Sequence, residues 1–360
     1  MKVQRIVFIC PHPEGVAPGQ RLKYEQYFES FRQNGYEVDV KPFMSARFWK
    51  IVYEKGNLIE KVLWTVYGYI KRITLVPFLP FYDGVYIFLN VTPFGGPLLE
   101  RIYVWMNPNI VYDIDDLVFL GNTSKVNKLI SLLKRPEKYI FLMKHAREVI
   151  VCTPYLSEFA SAFNKNVTDI SSTINTDTYI PVNTYTNDHK LVLGWSGSHS
   201  TLKYFLLLTD VLLELRKTKD FRIVIFGVKE CIIEGLDIFV VPFSDNKEVK
   251  TLQYIDIGLY PLPLDEQWVY GKSGLKALQY SALGIPTVAT GIGANLRIME
   301  HDVSGILVIT KEEWFNALQR LMDEPALRKR IGEKGRLNVL NNYSVNGNKE
   351  VYLSILKRIH

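Results

Sequence analysis

A chain of 360 residues is long for one hydrophobic core and points to two domains. With 48% hydrophobic and 22% charged residues it reads as a folded globular protein, and its formal net charge of +6 suits acidic small molecules or an anionic membrane surface without calling for nucleic acid. The three cysteines, Cys10, Cys152 and Cys231, are far apart with no C-x-x-C pair, so neither a disulfide framework nor a zinc site is expected and a reducing cytoplasm is.

Strand-like and helical patterns alternate from the start. "RIVFIC" (5–10) is too short for a signal-peptide core and reads as a buried strand. One helix is predicted over 20–35, where Leu22, Tyr24, Tyr27, Phe28 and Phe31 recur at helical spacing and Gly35 stops the pattern. "YEVDVKPF" (36–43), "GVYIFL" (84–89), "NIVYDID" (109–115) and "EVIVCT" (148–153) are further strands. The Thr- and Asn-rich run 173–190 breaks the rhythm, and residues 176–190 are predicted as a linker.

The alternation then restarts with "KLVLGWSG" (190–197), a helix over 200–218, and strands at 221–227, 237–243, 255–261 and 285–290. Alternating β and α implies parallel sheets with helices on both faces, so the fold class is α/β with two tandem doubly wound, Rossmann-like domains. The expected division is 1–175, the linker 176–190, 191–342, and a last helix at 343–360 that packs back on the first domain.

Ligands of open parallel sheets sit beyond the carboxyl ends of the strands, where glycine-rich turns feed helices. "CPHPEGVAPGQR" (10–21) offers Gly15 and Gly19 for close backbone approach and Arg21 for an anion, although an ordinary surface loop has the same composition. "GWSGSHST" (194–201) offers Gly197 and Ser198 amides to a phosphate, or a plain helix cap. In "DEQWVYGKSGLKALQYSALGIPTVAT" (265–290), Lys272 and Lys276 fall four apart on the first turns of a predicted helix, a poor place for cations unless an anion joins them. "TGIGANLRIME" (290–300) is a weak dinucleotide fingerprint whose amides can still meet phosphate. The carboxylates of "DIDD" (113–116) stand at a strand end, where alternation sends Asp113 and Asp115 to one side.

Residues 45–81 carry a different pattern. Ile59, Val62, Leu63, Val66, Ile70 and Ile73 form one helical stripe beside Trp64, Tyr67 and Tyr69, with Lys50, Lys55, Lys61, Lys71 and Arg72 as cations. An interfacial helix on anionic lipid and a core helix of the first domain both fit this stripe.

Taken in order, "PEGVAPGQRLKYEQYF", "VYDIDDLVF", "TINTDTYIP", "LGWSGSHSTLKYF", "GKSGLKALQYSALGIPTVAT" and "HDVSGILV" with "RIGEKGRLNVLNNYS" resemble the group 1 (family 4, retaining) glycosyltransferases of the GT-B fold, which make bacterial surface polysaccharides. The resemblance implies two domains facing across a cleft and transfer, with retention, from a nucleotide-diphosphate sugar to a hydroxyl of a saccharide or lipid-linked saccharide. It implies no cofactor and no metal.

The resemblance places donor binding on Gly197, Ser198, Lys203, Glu266, Lys272, Ser273, Gly274, Lys276, Gln279, Gly293, Ala294 and Asn295. Lys272, Asp113 and Asp115 become the catalytic candidates, and Gly15, Gly19, Arg21, Glu100 and Asp116 the acceptor side. One departure stands out: aligned through "SALGIPTVA", the family's two glutamates fall on Gly271 and Gln279, eight residues apart. The Gln279 amide can still bond ribose hydroxyls, and Asp265 or Glu266 can supply the missing carboxylate. A nucleotide-sugar 2-epimerase and a non-catalytic nucleotide-sugar-binding partner remain as alternatives. The location implied is cytoplasmic, with 45–81 available to the inner face of an anionic membrane.

Overall fold

The computed structural model describes the whole chain except residues 1–2, 53, 55, 121–134, 183–184, 187–188, 245–246 and 360. Two compact units emerge: Met1–Ser171 with Asn348–His360, and Ser172–Gly347.

The first unit is a six-stranded parallel sheet in the order β2-β1-β3-β4-β5-β6. Its strands are β1 (Gln4–Cys10), β2 (Tyr36–Pro42), β3 (Gly84–Phe88), β4 (Ile110–Asp113), β5 (Glu148–Val151) and β6 (Val167–Asp169). Between them run α1 (Pro18–Arg21), α2 (Phe28–Gln33), α3 (Ala46–Val52), α4 (Leu58–Leu75), α5 (Leu98–Met106), α6 (Glu137–His145) and α7 (Pro154–Ser161). Ile6 to Cys10 are fully buried, as an apolar strand covered on both faces must be.

The single helix predicted over 20–35 is instead α1, a 3₁₀ turn at Glu25–Tyr27, and α2. The break has a polar cause. Lys23 turns inward to pair with Asp113, and Gln20 and Glu25 bond each other at 2.9 Å.

The second sheet runs β12-β11-β10-β7-β8-β9, also parallel. Its strands are β7 (Leu191–Ser196), β8 (Phe221–Phe226), β9 (Ile238–Val241), β10 (Ile257–Tyr260), β11 (Thr287–Thr290) and β12 (Ile306–Val308). The helices are α8 (Leu202–Phe205), α9 (Thr209–Arg216), α10 (Glu248–Leu252), α11 (Leu275–Ala282), α12 (Asn295–Ile298), α13 (Lys311–Asp323), α14 (Pro325–Asn338) and α15 (Val345–Arg358).

The expected linker does not stand apart. Residues from Ser172 onward belong to the second unit, where Tyr179 is buried and the Tyr185 hydroxyl donates to the Gly284 carbonyl at 2.7 Å. From Asn348, α15 belongs to the first unit, where Tyr352 packs on Tyr27 with ring centroids 4.4 Å apart.

Helix α4 carries most of the stripe predicted within 45–81. Its inner face is Gly68, Arg72 and Leu75, with Gly68 pressed on the Phe43 ring. The predicted apolar stripe points the other way and is exposed, Ile59 to 78% and Leu63 to 64%. A core role for that stripe is excluded. Arg72, expected on the cationic face, is instead buried and donates to the carbonyls of Val91, Lys41 and Cys10 at 2.7–2.8 Å. Lys55 lies outside the described residues. No helix among the described residues is long and apolar enough to cross a membrane.

Candidate functional site

In each sheet the chain reverses direction beside the first strand, between β1 and β3 in the first unit and between β7 and β10 in the second. The carboxyl ends of those strands are where ligands enter such sheets.

In the second unit the loop leaving β7 is already organised. The Gly197 N–H donates to the Phe226 carbonyl at 2.9 Å and the Ser198 N–H to Thr201 Oγ1 at 3.1 Å. Ser198 and Thr201 form a reciprocal cap, so these two amides, expected to receive phosphate, are engaged as helix-cap and strand-end groups. The hydroxyls of Ser198 and Ser200, 2.9 Å apart, remain exposed.

From the end of β10, a loop brings Glu266 back to α8. Lys203 Nζ donates to Glu266 Oε1 at 2.5 Å and the Tyr204 hydroxyl to Oε2 at 2.8 Å. Burial alone would raise the Glu266 carboxyl. The Lys203 and Tyr204 bonds, with the charges of Lys203 and Lys272, hold it below its ordinary value. Lys203 and Glu266, expected as separate donor contacts, are therefore one ion pair.

Lys272 is not on a helix. It follows a 3₁₀ turn (Gln267–Gly271) in extended conformation, and α11 begins only at Leu275, capped by Gly274 at φ +72. A side chain at Gly274 would meet Ile298 Cδ1 at 2.2 Å, so this turn needs glycine. The expected pairing of Lys272 and Lys276 on one helical face is thus corrected, yet the two charges still act on each other. Lys276 Nζ lies 5.8 Å from the Trp195 ring and 5.4 Å from Tyr260. Burial, reinforced by Lys272, pushes it down to about 7. Neither lysine makes an ion pair among the described residues.

The other donor candidates divide. Ser273 Oγ bonds Ser172 Oγ at 2.8 Å. Gly293 (φ +55) and the buried Ala294 follow β11. Asn295 is buried, donates to the Thr290 carbonyl at 2.9 Å and leaves Oδ1 without a hydrogen bond. Gln279 is corrected outright. It is buried, with Nε2 donating to the Tyr179 hydroxyl at 2.8 Å and Glu248 Oε1 at 3.0 Å, so its amide is committed to the interior and not to a ribose.

In the first unit Asp113 is also corrected. It is fully buried in β4, where Lys23 Nζ and the Tyr86 hydroxyl each donate to it, and it is closed to an acceptor. The Asp113 charge holds the Lys23 ammonium up against its burial. Asp115, two residues on, is half-buried and lies against Gly19, where a Cβ would meet its Oδ2 at 2.7 Å. Burial pushes Asp115 up to about 7, with Lys23 opposing and Asp116 and Asp113 adding to the rise.

The Gly15 N–H is taken by Glu25 Oε2 at 2.8 Å, and Arg21 is half-buried near the same carboxylate. Asp116 caps its own turn through the Leu117 N–H at 2.9 Å. Glu100 is buried beneath the 90–97 loop, bonded by the Thr92 N–H at 3.4 Å and facing the Lys138 charge. It is closed to an acceptor.

Sequence reasoning missed Trp195, Tyr204, Tyr260 and Glu248, whose roles depend on neighbours far along the chain. Only the strand-end positions of Trp195 and Tyr260 gave a signal.

Residues 190–324 match the family Glycosyl transferases group 1. Glycosyltransferase 1 domain-containing protein 1 of Xenopus tropicalis is 30% identical over 79 residues, a stretch that is 22% of this chain and 23% of that protein. Among solved structures, sucrose-phosphate synthase of Thermosynechococcus elongatus superposes with TM-score 0.69 at 15% identity, covering 99% of both chains. Anabaena HepE, solved in complex with UDP and glucose, gives 0.66 at 14% over 99% of this chain and 100% of that one. At such identities the structural likeness shows the fold. The chain therefore has the two-domain, Rossmann-like GT-B fold, and its residues 190–324 are similar to the group 1 glycosyltransferases.

Proposed function

We propose that the protein moves a sugar from a nucleoside-diphosphate sugar to a hydroxyl of a saccharide or lipid-linked saccharide, with retention and without a metal, in bacterial surface-polysaccharide synthesis. The observation that carries the reading is Lys272 beside Lys276 at the switch point of the second sheet, where Glu266, already tied to Lys203, is the carboxylate that feels Lys272. Burial and Lys272 disfavour the Lys276 charge, and a diphosphate relieves both effects. A neighbour of the same fold was solved with UDP and glucose, which supports a nucleotide-sugar donor.

As the bond from the anomeric carbon to the phosphate oxygen breaks, negative charge gathers on the leaving diphosphate, and fixed cations stabilise it there. Lys272 and Lys276 take that role. Glu266, held by Lys203 and Tyr204, faces the donor's hydroxyls. In the first unit Asp115 is the acceptor-side carboxylate, with a proton affinity suited to general-base work near neutral pH. The exposed α4 stripe, flanked by Lys50, Lys61 and Lys71, rests on the inner face of an anionic membrane.

A thermal-shift screen against UDP, GDP, TDP, CMP, NAD and a panel of nucleotide sugars tests the donor site. A ligand at a hundred times its Kd adds about 2.7 kcal/mol of stability, a readable shift. A shift with one nucleoside-diphosphate series supports the reading and names its base. No shift, or one with NAD alone, removes it. Donor turnover without any acceptor would favour an epimerase.

A further inference from the structure

A groove of about 820 Å³ lies in the first unit, away from the strand ends described above. Its walls are the start of β1, the end of β2, the last turns of α4 and the 3₁₀ stretch Val76–Phe81. Two features define it. Leu75, Phe78 and Phe81 make an apolar side, and the two phenylalanines are 58% and 70% exposed, an unusual state for neighbouring large rings. Four cations also line it: Arg5, Lys41, Lys71 and the buried Arg72.

The cations are not equivalent. Arg5 pairs with Glu37 at 3.3 Å and Lys41 with Asp39 at 2.8 Å. Lys71 has no carboxylate partner among the described residues; its ammonium donates to the Pro42 carbonyl at 2.7 Å. Burial and then Arg72 push it down to about 8, so an anion beside it would be welcome. Ile70 and Ile73, exposed members of the α4 stripe, are adjacent in sequence to the lining residues Lys71, Arg72 and Thr74. Exposed phenylalanines, a cation with no carboxylate partner among the described residues and a helix that carries an exposed apolar stripe match a molecule with an anionic head and a hydrocarbon tail. Sites of about 300–1,000 Å³ hold ligands of this class, with charge fixing the head and apolar walls taking the rest.

We propose that this groove binds one anionic glycerophospholipid, its phosphodiester on Lys71 with Lys41 and Arg5 beside it, and an acyl chain along Phe78 and Phe81. The inference extends the membrane reading of α4 with a defined, saturable lipid site that is tested separately from it.

The test uses the full chain and dihexanoyl phosphatidylglycerol below its micelle concentration, followed by calorimetry. Dihexanoyl phosphatidylcholine and inorganic phosphate serve as controls, and flotation with phosphatidylglycerol vesicles is run in parallel. One-to-one binding at least tenfold tighter than either control is expected, with a tenfold or greater loss in Lys71→Met and in Phe78→Ser, Phe81→Ser. Phe78 and Phe81 are exposed and Lys71 is half-buried, and a wild-type thermal midpoint shows that the variants fold. Equal binding of inorganic phosphate overturns the lipid assignment. Flotation without monomer binding overturns the groove and leaves the α4 reading standing; failure of both removes both. Monomer binding without flotation supports the groove and rejects α4 as the membrane face.

Discussion

Gln279 Nε2 donates to Glu248 Oε1 at 3.0 Å inside the second unit, and the Tyr179 hydroxyl bonds the same carboxylate at 3.3 Å. A glutamate at 279 would set two carboxylates against each other in a buried site. Gln279→Glu is therefore expected to lower stability by about 2–3 kcal/mol near neutral pH. The repulsion raises a carboxyl pKa in the folded state, so the loss should shrink as acid protonates one partner. Urea unfolding at pH 5 and pH 8 reads this, and a stability unchanged at pH 8 would contradict the network.

Lys276 is mostly neutral above about 7 in the free protein, because burial disfavours its charge. A bound diphosphate restores the charge. Nucleotide affinity should therefore rise as pH falls from 9 toward 7 and level off below, with net proton uptake near pH 8. Calorimetry in buffers of different ionisation enthalpy measures that uptake. Lys276→Met should remove both the pH dependence and about 10- to 100-fold of affinity. A pH-independent affinity would take Lys276 out of the site.

Lys272 differs: it lies in an extended turn, and its charge acts on the Glu266 carboxylate. Lys272→Ala is expected to reduce kcat/KM by about 2–4 kcal/mol, the scale of losing one fixed electrostatic donor. The fold should survive. Full activity in this variant would show that the leaving group is stabilised elsewhere.

Asp113 and Asp115 should separate cleanly. Asp113→Ala strands the Lys23 ammonium in the core and is expected to cost about 3–5 kcal/mol of stability. Asp115→Asn should leave stability near wild type and cut turnover by about 10²–10⁴. In the wild type, kcat/KM should climb as pH rises through about 7, where Asp115 loses its proton, and that limb should vanish in the variant.

The α4 stripe is exposed at Ile59, Leu63 and Ile70. Replacing all three with Ser should weaken binding to anionic vesicles by about 1,000-fold or more, since each inserted aliphatic side chain contributes about 1.5–3 kcal/mol. Stability should move by about 0.5 kcal/mol or less per site. Arg72→Glu is the contrasting case, expected to unfold the first unit because three backbone carbonyls would lose their donor. Flotation and thermal melting together distinguish the two.

What the sequence determined by itself was the part governed by local pattern. Short apolar runs such as 5–10 and 221–227 became buried parallel strands, since a strand covered on both faces has no polar alternation to hide. The order of glycine-rich turns placed candidate sites at strand ends, and both sheets reverse there. Tertiary structure alone decided which polar groups face inward. Asp113 is 90 residues from Lys23, and Gln279 is 100 residues from Tyr179. No spacing rule connects such pairs, so four polar candidates, Asp113, Gln279, Glu100 and Arg72, proved to be buried interior groups. The α4 stripe had the same limit. A helix that turns its stripe to a core and one that turns it outward share one periodicity, and only the tertiary structure shows that Ile59 and Leu63 are exposed.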